Sequence, residues 1–214
     1  GTNPDEVCDC PPLSSRPEIV ITDNGTGTGT MTWTCDNTYL LDGYVFVNDG
    51  QVLTIEPGTV IKGMAGQGAD AAALIVSRGG QIFADGSASC PITFTFEADP
   101  LDGSVSYDTR GQWGGVIVLG DATTNLPTGE GQIEGVPADN DRAKYGGAND
   151  ADNSGVLRYV SIRHGGTQLG AANEINGLTL GGVGSGTTIE HIEVVSNDDD
   201  GIEFFGGSVN VRYA

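Results

Sequence analysis

The last third of the chain repeats itself. Residues 174–182 (EINGLTLGG) line up with residues 198–206 (DDDGIEFFG) at an offset of 24, and residues 157–162 (LRYVSI) line up with residues 189–194 (IEHIEV) at an offset of 32. Periods of this size are those of a solenoid, whose repeating unit buries its apolar side only by stacking on the next. The two offsets differ by eight, which places an insertion of that length at a corner of the coil, in residues 165–172. Corners accept insertions because the stacked strands keep their register while the added chain leaves into solvent.

Upstream, apolar runs of strand length recur: residues 44–47 (YVFV), 52–55 (VLTI), 59–61 (TVI), 73–76 (ALIV), 92–96 (ITFTF) and 116–119 (VIVL). None extends into a helical period. The turn signals Asn48-Asp49-Gly50, Glu56-Pro57-Gly58, Arg78-Gly79-Gly80 and Ala84-Asp85-Gly86 separate them, with glycine free to take positive φ. Hairpins of a β-sandwich could use the same turns, but the internal repetition favours an all-β, right-handed parallel β-helix. Residues 1–39, rich in Pro, Asp, Gly and Thr, read as a lead-in or cap, and residues 40–214 as the β-helix. The opening residues carry no charged-then-apolar leader, which suggests a mature or trimmed product. Residues 209–214 end in strand-like alternation, so the β-helix is expected to continue in the parent protein.

Four cysteines, Cys8, Cys10, Cys35 and Cys90, allow three complete pairings. One intervening residue leaves Cys8 and Cys10 little freedom to bridge each other, so each is expected to reach Cys35 or Cys90 and to staple the cap to the first coils. Zinc is the competing use, with neither a CxxC nor paired histidines to support it. Disulfides imply an oxidising compartment. The formal charge is −20, from 29 acidic against 9 basic residues. Such a field repels phosphate backbones, so nucleic acid is excluded as a partner. It also makes calcium, or a saline habitat, a reasonable expectation. No apolar stretch approaches the length of about 18 residues needed for a membrane span.

The phrase at residues 42–63 (DGYVFVNDGQVLTIEPGTVIKG), followed by residues 158–166 and 199–207, resembles the secreted and cell-surface pectin-lyase-like β-helix proteins of Bacteroidota and related marine bacteria. The resemblance covers about residues 40–214 and implies fold and a secreted or surface location rather than a chemistry. Members of the wider fold include lyases, in which bound calcium acidifies a uronate and a basic side chain removes its α-proton. Others are hydrolases that work with aspartates and a histidine.

Four carboxylates form the densest polar constellation: Asp198, Asp199, Asp200 and Glu203, with Glu190 and Glu193 one strand earlier. A turn of consecutive carboxylates followed by a strand carboxylate could give calcium several of its six to eight oxygens. The plain alternative is a solvated turn whose aspartates accept backbone N–H bonds. Arg158, Arg163 and Arg212 are the bases a lyase would need, and strand parity puts Arg158 and Ser161 on opposite sides. His164 with Asp199 and Asp200 offers hydrolase residue types, in the wrong chain order for the family. Arg158, Arg163 and His164 are therefore the candidate binding residues. Trp33, Trp113, Tyr107, Tyr145 and Tyr159 are candidate aromatic platforms, and residues 97–112 and 123–154 are loops long enough to build a surface. The reading that results is an extracellular or cell-surface, non-catalytic binding and scaffold module facing polysaccharide or a neighbouring protein. A lyase or hydrolase is the alternative, and a subunit that self-assembles through an open β-helix end is a third.

Overall fold

A computed structural model describes residues 8–66, 68–137, 139–170 and 173–214. Strand β1 (Glu18–Thr22) leads into a coil of β2 (Met31–Trp33), β3 (Thr38–Asp42) and β4 (Tyr44–Val47). Two further coils follow, β5 (Val52–Ile55), β6 (Val60–Gly63) and β7 (Ala73–Val76), then β8 (Gln81–Asp85), β9 (Ile92–Phe96) and β10 (Val116–Leu119). An excursion carries the small hairpin β11 (Gly131–Gln132) and β12 (Lys144–Tyr145). The next coil is β13 (Gly155–Arg163), a side hairpin of β14 (Gln168–Gly170) and β15 (Asn173–Glu174), and β16 (Leu178–Gly181). Strands β17 (Thr188–Val195), β18 (Ile202–Phe205) and β19 (Val211–Arg212) complete the path, and no α-helix occurs among the described residues.

Apart from the two hairpins, every pairing is parallel, as a β-helix requires. A first face stacks β2, β5, β8, the start of β13, the start of β17, and β19. A second stacks β1, β3, β6, β9 and the ends of β13 and β17. The third stacks β4, β7, β10, β16 and β18. The repeats are explained directly. Leu157 pairs with Ile189 and Leu178 with Ile202, offsets of 32 and 24, and the insertion between them holds the β14–β15 hairpin. Residues 171 and 172 of that insertion lie outside the described residues. Parallel pairing begins at β1, within the segment read as a lead-in.

Inside, like residues stack in files: Tyr39, Ile61, Phe94, Ile162 and Val194 on the second face, and Val45, Leu74, Val116, Leu178 and Ile202 on the third. Each fully buried Leu, Ile or Val in such a file is worth roughly 1.5–3 kcal/mol of transfer free energy. The third face is covered outside as well. Phe46, Ile75, Ile117 and Leu119 point outward and pack under Ile133, Val136, Ala143 and Tyr145 of the excursion. That double burial is why its strands read as unbroken apolar runs instead of alternating.

The amino-terminal segment is fastened by two disulfides, Cys8–Cys90 and Cys10–Cys35. Gly58 sits beneath both, at φ +77°, and a Cβ there would lie 2.7 Å from the sulfurs of Cys8 and Cys10. Arg16 adds a further clamp, donating to the Pro11 and Gly58 carbonyls at 2.9 Å each.

Candidate functional site

Asp198, Asp199 and Asp200 form an exposed turn between β17 and β18. The turn is stitched by its backbone: the Asp198 N–H donates to the Gly165 carbonyl at 3.0 Å, and the Asp200 carbonyl accepts from Gly177 N–H at 3.0 Å and from Asn197 Nδ2 at 3.0 Å. Glu203 faces outward on β18, where it accepts from Asn176 Nδ2 at 2.6 Å. Glu190 and Glu193 lie on different faces, beside Arg158 at 3.7 Å and Arg163 at 3.1 Å. Among the described residues no group of three or more His, Cys, Asp or Glu is gathered in a metal-ligating arrangement.

Arg163 points outward, opposite the inward Ile162; Arg158 and Ser161 both point outward as well, against the expectation that they take opposite sides. The cause is Tyr159, whose φ of +49° turns the chain from the first face to the second in the middle of β13 and resets the alternation. Arg158 donates to Asp85 at 2.6 Å. Arg163 divides its guanidinium between Ser161 Oγ at 2.8 Å and Glu193 at 3.1 Å, while Ser161 Oγ donates to Glu193 at 2.5 Å. His164 is buried, its Nδ1 is 2.7 Å from the Thr109 carbonyl, and its ring meets Phe96 edge-on. Arg212 is exposed and falls beside Glu190 in the register. The three candidate binding residues are thus kept apart: Arg158 on the first face, Arg163 on the second, His164 beneath the segment ending at residue 115.

Burial also removes three of the five aromatic platforms, since Trp33, Trp113 and Tyr145 belong to the core. Trp113 plugs the end of the second face, where its Nε1 donates to the Arg163 carbonyl at 2.7 Å. Tyr107 is exposed. Tyr159 begins a file of stacked rings with His191 (4.3 Å between centroids) and Tyr213 (4.6 Å), all three at positive φ on the same corner.

A concave site lies at the same corner, nearer the amino terminus. It is a cleft of about 430 Å³ between the disulfide-held segment and the first face. Glu56, Asp85 and Asp9 line it with Arg158, and the Cys10–Cys35 disulfide, Cys90 and Pro57 supply an apolar side. Glu56 accepts from the Cys35 N–H at 3.3 Å. The turn signals Glu56-Pro57-Gly58 and Ala84-Asp85-Gly86 were the trace of this site in the sequence. Read alone, each is only a turn. The pairing of Ile55 with Ala84 makes Glu56 and Asp85 neighbours on adjacent coils.

A family model described as a pectate-lyase-like beta helix domain matches residues 25–214. No curated protein and no solved structure matches the chain.

Proposed function

Because the chain belongs to the pectate-lyase-like β-helix family, we propose that it acts outside the cell as a module that binds polysaccharide without cleaving it. The supporting observation is how the candidate catalytic side chains are used. Arg158 is held between Asp85 and Glu190, Arg163 is shared by Ser161 and Glu193, and His164 is buried against the Thr109 carbonyl. Each ties coils or loops together, whereas an acid or base must face its substrate within hydrogen-bond reach. The family and the two disulfides are consistent with an extracellular location. The test is to titrate the protein with acidic, neutral and amino polysaccharides while following both binding heat and new chain ends. Saturable binding with no new ends is expected; release of oligosaccharide would replace the module with an enzyme.

Calcium at the turn of Asp198 to Asp200 is a separate proposal, supported by the charge and exposure of three consecutive carboxylates. A thermal midpoint higher in calcium than in sodium at equal ionic strength, and lost in Asp199→Asn, is its expected signature.

A further inference from the structure

We propose that the cleft beside the disulfides binds a cationic saccharide, a hexosamine unit with a free amino group, in place of a uronate. The inference rests on the binding reading above and names its ligand class. Size and shape come first: about 430 Å³ falls in the range of roughly 300–1,000 Å³ typical of small-ligand clefts. Its walls differ in kind. Pro57 and the Cys10–Cys35 disulfide give a sugar ring an apolar side to lie on, and Glu56, Asp85 and Asp9 present carboxylates that accept from hydroxyl or ammonium groups.

Charge then selects among sugars. Three carboxylates face one guanidinium, and that guanidinium is already engaged by Asp85 at 2.6 Å and flanked by Glu190 at 3.7 Å. A uronate entering here would meet like charge with no free cation to receive it. An ammonium group meets a surplus of carboxylate inside a chain of net charge −20, whose long-range field draws polycations in and turns polyanions away. A neutral sugar would gain the apolar contact and hydroxyl hydrogen bonds to the carboxylates, but no charge attraction.

The experiment is calorimetric titration with three probes of equal length: a glucosamine oligomer, its fully N-acetylated counterpart and an oligogalacturonate, at a pH where the amine is protonated. The glucosamine oligomer is expected to bind at least tenfold more tightly than the acetylated one, and the uronate not at all. Raising salt from about 0.01 to 0.15 M should weaken the binding, because the Debye length shrinks from ~30 to ~8 Å. Glu56→Gln and Asp9→Asn should each lower affinity several-fold. Asp49→Asn changes the net charge equally but lies on the exposed turn between β4 and β5, away from the cleft, and it should leave affinity unchanged. Equal losses in all three variants would mean that bulk charge, not the cleft, holds the ligand, and would overturn the inference. Preference for the acetylated or uronate probe would overturn it too, while leaving polysaccharide binding intact. Failure of every saccharide to bind would remove both readings. Thermal midpoints of each variant, with the exposed Asp9→Asn as the mildest change, separate lost binding from lost folding.

Discussion

Tyr44 carries its hydroxyl into the seam between the first coil and the excursion, where it donates to the Gly135 carbonyl at 2.9 Å, with the Gly68 carbonyl at 3.3 Å. Burial pushes its pKa up to about 12. The neutral phenol is therefore favoured in the folded state, so its contribution is complete below the unfolded value of about 10 and disappears as pH rises toward 12. The thermal midpoint should fall across that window, and Tyr44→Phe should flatten the fall while lowering the starting value. A fall equally steep in the variant would assign it to other groups. Stacking at the corner is a second residue-scale device. His191 lies between Tyr159 and Tyr213 in a left-handed conformation that costs a non-glycine residue roughly 1–2 kcal/mol. His191→Ala loses both stacks and keeps the backbone cost; His191→Gly loses the stacks and relieves it. In chemical denaturation the glycine variant should be the more stable of the two. The turn at Tyr159 also marks the limit of pattern reading, since a single positive φ shifts parity for Ser161 and Arg163, and its one trace in the sequence is the move of apolar residues from odd positions (Leu157, Tyr159) to even ones (Val160, Ile162).

At the scale of elements, the excursion over the third face is held by its apolar seat and by a half-buried ion pair. Asp23, almost wholly buried, accepts from Arg142 at 2.5 Å and from the N–H groups of Gly25 (2.6 Å), Gly27 (3.2 Å) and Phe46 (3.3 Å). The Arg142 guanidinium also lies 3.8 Å above the Phe46 ring. Arg142→Ala takes away the counterion and the ring contact but leaves three backbone donors to the carboxylate. The expected loss is about 1–3 kcal/mol, below the ~3–5 kcal/mol of a fully buried pair because Arg142 is partly exposed. Hydrogen exchange should quicken in residues 120–154 first, and a uniform increase along the coils would refute a local anchor. The strands and coil offsets were legible because apolar runs stack at fixed register. The excursion was not, because Ile133, Val136, Ala143 and Tyr145 stand singly among polar residues and show their common side only when laid on Phe46, Ile75 and Ile117. The cleft escaped for a related reason: Asp9, Glu56 and Asp85 come from three distant stretches that coil stacking and two disulfides bring together.

Over the whole molecule, charge is the large opposing term. Nine basic residues can neutralise at most nine of the 29 acidic ones, and twenty negative charges remain on a 22.0 kDa chain. Their mutual repulsion favours any state that moves them apart, the unfolded chain above all. A solenoid eases this by spreading its surface along an axis, and the first face eases it locally by alternating sign, with Asp85, Arg158, Glu190 and Arg212 in register on successive coils. What remains is long-range and therefore screened. As ionic strength rises from about 0.01 to 0.15 M the Debye length falls from ~30 to ~8 Å, and repulsion between exposed charges farther apart than that is largely screened. The thermal midpoint should climb over that interval and then level off, because pairs already in contact, such as Arg158 and Asp85, gain nothing from screening. A midpoint that stayed flat or fell would mean that salt costs the ion-pair ladder more than it relieves, and the alternating file of the first face, not the net charge, would then be the electrostatic term that governs stability.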